Sequence, residues 1–306
     1  MTCASLLRRS LPCLWFALAA GLSACGGGGG GSGDPAPPPD PTPVQVTLSV
    51  RTTGLVNPWG MAFLPDGRML VTERPGRLLL LSASGSVTGA VSGVPEVLAQ
   101  GQGGLLDVAL DPAFTSNGRI YLSFAERDTA DPARNGTAVA RAVLDTASRS
   151  LSQVTVIYRQ LPKVASPSHF GSRLVFDRSG HLFVTLGDRR LDSQRDFAQD
   201  LTRGHGKVVR ITTSGQPAPD NPEWDEPGAQ PEIWSLGHRN VQGAALHPQT
   251  GELWTSEHGP QGGDEVNRTL RGRNYGWPRV SRGQEYGTTT PVGVASMRGM
   301  EDPEWV

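Results

Sequence analysis

A pattern of strand, turn and strand recurs four times along the chain. Each copy has a short run of apolar residues, a turn built from Pro, Asp and Gly, and a second apolar run. The glycines of the four turns are Gly67, Gly118, Gly180 and Gly251. Because these turn residues favour tight reversals and short apolar runs favour strands, each copy is predicted to be a β-hairpin.

The spacing of the hairpins indicates a repeat architecture. The turn glycines are separated by 51, 62 and 71 residues, and further strands are predicted between the hairpins at 77–81, 137–144, 155–158 and 207–211. The sequence has no long amphipathic helical pattern. An all-β propeller with four-stranded blades and lengthening loops explains this order better than the alternative, a β-sandwich with coincidental hairpins.

The first 43 residues differ in composition from the rest of the chain. Residues 1–25 contain two arginines near the start, an apolar run too short to span a bilayer, and small residues that lead to Cys25. This segment resembles a bacterial lipoprotein signal peptide, so we expect Cys25 to be lipidated; an ordinary signal peptide with a chance cysteine is the alternative. Residues 26–43 are rich in Gly and then in Pro, as in a tether, and the propeller domain is predicted over 44–306.

Charge and cysteine content narrow the class of protein. The chain has 306 residues and a net charge of -1, which gives no electrostatic reason to expect nucleic acid or an anionic lipid surface as a partner. All three cysteines lie in the first 25 residues, so the predicted domain has no disulfide, thiol nucleophile or thiolate metal site. We expect an exported protein of a Gram-negative bacterium, in the periplasm or at the outer membrane, that contacts the membrane only through its lipid anchor.

The end of the sequence leads to a further expectation. A propeller closes its ring by pairing its first and last strands, which removes the exposed sheet edges. No closing strand is recognisable between the fourth hairpin and Val306. The pattern therefore predicts a propeller that is truncated at its C-terminal end.

Two polar clusters in the first part of the domain could carry chemistry. Gln102 stands among glycines, which let a backbone approach a ligand closely, although a plain turn explains the same residues. His169 lies in the segment 168–173 before a predicted strand, where a histidine can act as a general base near neutral pH. A structural histidine is the alternative, and position alone does not choose among the six histidines of the chain.

Two further clusters flank the fourth hairpin. In the segment 237–243, Arg239 offers a planar fork of donors that suits carboxylates and quinone oxygens, and Asn240 adds an amide. A salt-bridged surface arginine is the alternative. The segment 257–265 is acidic and rich in glycine, which suits Ca²⁺ because this ion prefers many oxygen ligands. A solvated acidic loop is the alternative, since the spacing does not match an EF-hand.

Taken together, these clusters resemble those of the PQQ-dependent glucose and aldose sugar dehydrogenases, which are six-bladed β-propellers. The most specific motifs are His-Arg-Asn at 238–240, Glu-His-Gly-Pro at 257–260 and Asn-Tyr-Gly-Trp-Pro at 274–278. The resemblance extends from about residue 56 to about residue 278. It implies oxidation of aldose sugars at C1 to lactones with PQQ and Ca²⁺, and a quinone or cytochrome as the downstream electron acceptor.

The resemblance also implies a role for each matching residue. His169 corresponds to the base that accepts the proton of the anomeric hydroxyl while hydride moves to PQQ, and Arg239 to the group that stabilises the reduced quinone. The residues implied to contact PQQ are Gln102, His169, Arg239 and Asn240. The residues implied to bind calcium are Gly259 and Pro260, through their carbonyls at the active site, and Glu265 and Tyr275, at a second, structural ion.

Two departures from the family pattern affect these implications. Glucose dehydrogenases of this family carry Asp directly before the catalytic histidine, whereas this chain has Ser168. A carboxylate there would orient and bias the imidazole, so Ser168 predicts an aldose dehydrogenase or a weaker base. The basic residues that clamp the carboxylates of PQQ in the family belong to its last blades and have no counterpart up to Val306.

Two other classes of function stay open at this level. A calcium-dependent lactonase on a similar propeller would also need histidine, asparagine and acidic ligands, but not Gln102, Arg239 and the Gly259-Pro260 pair. A module that binds glycans or a protein without turnover would show neither PQQ binding nor dye reduction. The fold alone does not decide, because propellers have many functions; the motifs favour the dehydrogenase.

Overall fold

Four antiparallel sheets follow one another along the chain, one for each recurring hairpin. They are seen in a computed structural model, which describes residues 46–306; the predicted leader with Cys25 and the predicted linker lie outside the described residues. Within each sheet, strands that are consecutive in sequence are hydrogen-bonded neighbours, so each sheet is a meander. Residues Ser49–Val306 form one compact unit.

Each sheet is one blade, and its strands are numbered in chain order. Blade 1 contains β1 (Pro58–Phe63), β2 (Met69–Glu73), β3 (Arg77–Leu81) and β4 (Val87–Val91). Blade 2 contains β5 (Leu105–Leu110), β6 (Arg119–Arg127), β7 (Asn135–Asp145) and β8 (Ser150–Arg159). Blade 3 contains β9 (Leu174–Phe176), β10 (Leu182–Leu186), β11 (Lys207–Ile211) and β12 (Ile233–Leu236). Blade 4 contains β13 (Val241–Leu246), β14 (Leu253–Glu257) and β15 (Glu265–Arg268).

Helical structure is a minor part of the described residues. It comprises one short turn, α1 (Phe114–Asn117), and a 3₁₀ helix over Asp192–Gln199. From residue 46 onward, no helix has the length and apolar character needed to cross a bilayer. The prediction of an all-β fold is confirmed.

The turn glycines account for the hairpins. Gly67, Gly118, Gly180 and Gly251 each lie between the first two strands of a blade, with φ of 84°, 60°, 80° and 75°. Side chains make this left-handed conformation unfavourable, so glycine lets the strands reverse there. The strands predicted between the hairpins are also found, as β3, β7, β8 and β11. The strands β4, β12 and β15 were not predicted; they have only five, four and four residues.

The hydrophobic cores lie between successive blades. Leu70 of blade 1 packs in one cluster with Leu122 of blade 2. Tyr121 of blade 2 packs in another with Val184 of blade 3. A third cluster joins blades 3 and 4. Because a strand in the middle of a blade is covered on both faces, β2 and β10 are buried along their whole length.

The number of blades differs from the prediction drawn from the family resemblance. Residues 46–306 form four blades, not six, and blade 4 has three strands. This part of the chain contains only four hairpin repeats, so it provides strands for four sheets. A six-bladed ring and a C-terminal truncation therefore stay predictions.

A buried hydroxyl connects each of the first three blades to the next. Thr72, Ser123 and Thr185 lie five residues after the turn glycines of blades 1, 2 and 3 and are fully buried. The Oγ1 of Thr185 accepts a hydrogen bond from the N–H of Arg173 at 2.9 Å. It donates one to the carbonyl of Val241, also at 2.9 Å. The first strands of blades 3 and 4 are thereby linked through one side chain.

The same arrangement occurs in the two preceding blades. The Oγ of Ser123 accepts from the N–H of Asp107 at 2.9 Å and donates to the carbonyl of Ser172 at 2.7 Å. Thr72 makes the equivalent link by donating to the carbonyl of Leu106. Each hydroxyl therefore satisfies a backbone donor in one blade and a backbone acceptor in the next, where the apolar cores exclude water.

We expect Thr185→Val to lower the free energy of unfolding by about 2 kcal/mol, because valine keeps the shape of threonine but leaves the N–H of Arg173 and the carbonyl of Val241 unpaired. Urea unfolding followed by tryptophan fluorescence measures this loss. Ser256→Ala is the matched control, because Ser256 has the same position in blade 4 but an exposed side chain. Its expected effect is below about 0.5 kcal/mol. Equal losses in both variants would contradict the role of the hydroxyl link.

Candidate active site

Several connections between strands converge on a polar cavity of about 280 Å³. They are the connections β8–β9, β10–β11, β12–β13 and β14–β15, together with the segment after β15. The lining residues are His169, Asp188, Arg190, Asp192, Arg195, Arg239, Pro260, Trp277, Glu285 and Tyr286. Three residues that the sequence analysis singled out, His169, Arg239 and Pro260, are thus brought to one cavity.

A larger cavity of about 640 Å³ lies against blade 1. It is lined mainly by apolar side chains such as those of Trp59, Met61 and Phe63, and Arg51 is the one ionisable residue of its described lining. Acid–base or redox chemistry needs groups that move protons or stabilise charge. The smaller, polar cavity is therefore the candidate active site.

His169 is held by the carboxylate of Asp188. Its Nδ1 lies 2.7 Å from Asp188 Oδ1, and both side chains are buried. Asp188 Oδ1 also accepts the backbone N–H of Arg190 at 2.8 Å, and Oδ2 accepts the indole N–H of Trp277 at 2.8 Å. With Nδ1 engaged, Nε2 of His169 is the ring nitrogen left for a ligand.

Asp188 was not predicted from the sequence. The family pattern has a carboxylate directly before the histidine, where this chain has Ser168, whereas the fold provides a carboxylate from the connection after β10. The available signal was a Gly-Asp pair directly after a strand of the third hairpin. Gly187 is needed there, because a Cβ at this position would collide with the carbonyl of His169. The imidazole therefore has a carboxylate partner in spite of Ser168.

Gln102 and Asn240 contact the backbone around the histidine. Gln102 Oε1 accepts the N–H of His169 at 2.8 Å, and Asn240 Oδ1 accepts the N–H of Gly171 at 3.1 Å. His169 has a φ of 50°, which is unfavourable for a residue with a side chain and needs support from its surroundings. Neither Gln102 nor Asn240 lines the cavity, and their contact with PQQ stays a prediction.

Arg239 reaches the cavity from the connection β12–β13. Its Nη1 donates to the carbonyl of His258 at 2.8 Å and its Nη2 to the hydroxyl of Tyr286 at 3.3 Å. Its backbone N–H donates to Glu257 Oε2 at 2.6 Å, and Glu257 Oε1 lies 2.8 Å from Nδ1 of His238. One buried carboxylate thus fixes the backbone at Arg239, while the guanidinium contacts neutral oxygens and keeps its charge for a ligand.

Cationic and aromatic groups share the cavity wall. Arg190, Arg195 and Arg239 all line it, and Arg195 is paired with two carboxylates. The guanidinium of Arg239 lies 5.3 Å from the ring centre of Trp277, and that of Arg190 lies 5.4 Å from the ring centre of Tyr286. Planar cations beside aromatic faces suit a flat, anionic ligand.

The residues predicted to bind calcium lie in and beside the candidate site. Pro260 lines the main cavity, while Gly259, Glu265 and Tyr275 line a second cavity of about 10 Å³. Glu265 pairs with Glu257 across β14 and β15. Burial and the neighbouring charge of Glu257 raise the pKa of Glu265 to about 8.

Asn267 connects these two carboxylates. Its Nδ2 lies 3.3 Å from Glu257 Oε1 and 3.3 Å from Glu265 Oε2, and its buried Oδ1 has no hydrogen-bond partner in the described part of the chain. The hydroxyl of Tyr275 is already bonded to the backbone of the 268–270 turn. The described residues contain no cluster of three or more His, Cys, Asp or Glu side chains suited to a metal, so an ion here would also need amide or backbone oxygens.

Burial lowers the pKa of His169 below its ordinary value of 6.5, and the positive charges of Arg239 and Arg190 add to this, while Asp188 opposes it. The imidazole is therefore neutral and able to accept a proton at neutral pH. Because the folded pKa is below the unfolded one, the stability that the neutral ring contributes is complete above about pH 6.5 and is lost as the pH falls through the folded pKa.

The fold and the cavity define a β-propeller with a buried histidine–aspartate pair beside arginine and aromatic side chains. The family model for glucose / sorbosone dehydrogenase matches residues 55–306, and the chain belongs to this family.

Two curated relatives show how far the similarity extends. The chain is 47% identical over 245 residues to aldose sugar dehydrogenase YliI of Escherichia coli, covering 79% of this chain and 64% of that protein. It is 31% identical over 251 residues to quinoprotein glucose dehydrogenase B of Acinetobacter calcoaceticus, covering 75% of this chain and 52% of that protein. The chain thus spans less than two thirds of the length of either relative.

Two solved structures have the same architecture. The soluble aldose sugar dehydrogenase of Escherichia coli in its apo form superposes with a TM-score of 0.76 at 43% identity, covering 81% of this chain and 71% of that one. The PQQ-bound aldose sugar dehydrogenase of Streptomyces coelicolor gives 0.68 at 32% identity, covering 84% and 69%. The propeller fold and the family are therefore established together.

We expect NMR titration of the imidazole of His169 to give a pKa below 6.5. Asp188→Asn should lower this pKa further, because the amide oxygen of asparagine can still accept a hydrogen bond from Nδ1–H but no longer stabilises the imidazolium by charge. A pKa at or above 6.5, or a rise in the Asp188→Asn variant, would contradict the proposed balance of burial and charge.

Proposed function

We propose that the chain oxidises aldose sugars at C1 to lactones, with PQQ as the hydride acceptor and His169 as the base. The observation that carries this proposal is the buried His169–Asp188 pair in a cavity that Arg239 also lines. Support comes from relatives whose names describe an aldose sugar dehydrogenase and a quinoprotein glucose dehydrogenase. A neighbouring structure is described as PQQ-bound.

Two arginines and two aromatic side chains of the cavity support a flat, anionic quinone as its ligand. Arg239 and Arg190 present guanidinium groups, and Trp277 and Tyr286 present aromatic faces beside them. Such groups bind carboxylates and quinone oxygens through planar hydrogen bonding and stacking. We assign Arg239 to the quinone oxygens and Asn240 and Gln102 to the surroundings of the same ligand.

The protein's own residues perform the proton transfer in this proposal. Nε2 of His169 accepts the proton of the C1 hydroxyl as that oxygen becomes the lactone carbonyl. Asp188 holds the Nδ1 proton and stabilises the imidazolium that forms. Trp277 donates to the other oxygen of Asp188 and so fixes the carboxylate. Bound PQQ would supply the two-electron acceptor for the hydride that leaves C1.

Calcium has two proposed positions. The carbonyls of Gly259 and Pro260 would hold the active-site ion, and Glu265 would contribute to a second ion with the oxygen of Asn267. The second position is supported by the opposed carboxylates of Glu257 and Glu265 and by the unpartnered Asn267 Oδ1, since Ca²⁺ prefers several oxygen ligands. For Tyr275, whose hydroxyl is bonded to backbone, the role is restricted to its carbonyl.

The remaining parts of the proposal concern the cellular setting. We propose that residues 1–25 direct export, that Cys25 is lipidated and that residues 26–43 tether the propeller. A quinone or cytochrome would then accept electrons in the periplasm or at the outer membrane. We also propose that these four blades belong to a six-bladed ring.

The decisive test is PQQ-dependent oxidation of sugar. The chain is supplied with Ca²⁺ and PQQ, and bleaching of a redox dye is followed with glucose and other aldoses. We expect His169→Ala to lower kcat by about 10²- to 10⁴-fold, the usual contribution of a general base. His247→Ala is the control, because His247 lies in the hairpin turn of blade 4 outside the cavity.

Each outcome of this test has a distinct meaning. Bleaching that needs both sugar and PQQ, and is lost only in His169→Ala, supports the dehydrogenase and its base. Folded, calcium-loaded protein that does not bind PQQ would favour a lactonase or a non-catalytic binding module instead.

Calcium binding can be tested through stability alone. We expect Ca²⁺ at about 100 times its Kd to stabilise the chain by about 2.7 kcal/mol per site, seen as a rise in Tm. Glu265→Gln should reduce this rise, because the amide that replaces the carboxyl group cannot ionise to bind the ion. Glu252→Gln, in the turn before β14, is the matched control. A Tm that responds to Ca²⁺ equally in both variants would rule out the site at Glu265.

A further inference from the structure

Arg189 is a fully buried arginine beside the histidine–aspartate pair. It follows Asp188 directly in sequence but does not line the cavity. Its own φ is 69°, an unfavourable conformation for a residue with a side chain. Nothing in the proposed chemistry uses its charge.

The hydrogen bonds of Arg189 converge on the segment that carries the base. Its Nε donates to the carbonyl of Ser168 at 2.9 Å, and its Nη2 donates to the carbonyl of Ser166 at 2.6 Å. The same Nη2 donates to Asn135 Oδ1 at 2.7 Å, and Nη1 to the Asn135 carbonyl at 3.3 Å. The guanidinium also lies 3.7 Å from the ring centre of Phe170. The residue before the histidine, through its carbonyl, and the residue after it, through its ring, therefore both contact the side chain of Arg189.

This arrangement is unusual for a buried charge. All four hydrogen-bond acceptors are neutral oxygens. Burial lowers the pKa of Arg189 to about 9, so the group is still charged at neutral pH. Removing a cation from water is costly, and bonds to carbonyls offset only part of that cost. A planar fork with several donors is the geometry that can join two separate segments of the chain, at Asn135 and at Ser166–Ser168.

The histidine itself needs such support. His169 has a φ of 50°, and a strained residue keeps its conformation only when the surrounding structure fixes it. Asp188 holds the imidazole, while Arg189 holds the backbone before the histidine and packs against the ring of Phe170 after it. Resting on the proposed role of His169 as the base, we propose that Arg189 is a positioning residue that sets the orientation of His169 toward the cavity.

The test compares Arg189→Lys with Arg210→Lys. Lysine keeps the charge but lacks the fork, so it cannot hold Ser166, Ser168 and Asn135 together. Arg210 is the matched control: it is buried and makes several hydrogen bonds, but it holds the turn of blade 3 at Asp177. Both variants should lose stability, measured as a fall in Tm.

The readouts that distinguish positioning from stability concern His169. In Arg189→Lys, NMR of the chain without cofactor or sugar should show loss of the hydrogen-bonded Nδ1 proton signal, because the imidazole is no longer held against Asp188. Dye assays should show kcat reduced about 10- to 100-fold with KM changed less than about 2-fold, because a small misplacement of a reacting group affects the chemical step. Arg210→Lys should leave all of these unchanged.

The possible outcomes separate this proposal from the proposed function. If Arg189→Lys changes only Tm, as Arg210→Lys does, the positioning role is overturned. If Arg189→Lys does not fold, Asn135→Ala decides, because it removes one of the four bonds: a smaller shift of the His169 signals supports the proposal, and no shift overturns it. If the unaltered chain does not oxidise sugar, the proposed function fails, but the NMR comparison still tests Arg189.

Discussion

The structure depends on the way the first strand of one blade is joined to the first strand of the next. Buried hydroxyls at Thr72, Ser123 and Thr185 each bond to backbone on both sides of a blade boundary. The apolar clusters between blades exclude water there, so an unpaired carbonyl would be costly. The side chains keep neighbouring blades in register while the cores supply most of the burial.

The alignment of neighbouring blades brings the active-site residues together. His169 comes from the connection before blade 3, Asp188 from the connection between its second and third strands, and Arg239 from the connection before blade 4. Their distances are set by the packing of whole blades, since the residues are far apart in sequence. Arg189 bonds to two carbonyls of the segment just before His169.

Much of the fold and part of the site could be predicted from the sequence. The turn glycines predict the hairpins because glycine alone readily adopts their left-handed conformation. The motifs around His169, Arg239 and Pro260 identify residues that do line one cavity. Gln102 and Asn240 contact the loop of the histidine, and their contact with PQQ stays a prediction.

By itself, the sequence determined the repeated hairpins and the absence of cysteine from the domain, because each depends on local pattern or residue type. The resemblance of its motifs to a family singled out His169 as the candidate base. Only the tertiary structure decided that Asp188, and not a residue beside His169 in sequence, is the partner of the imidazole. It likewise decided that Arg189 is buried against neutral carbonyls. The physical reason is that burial and pairing are set by which blades pack together, and a local pattern carries no information about contacts between blades.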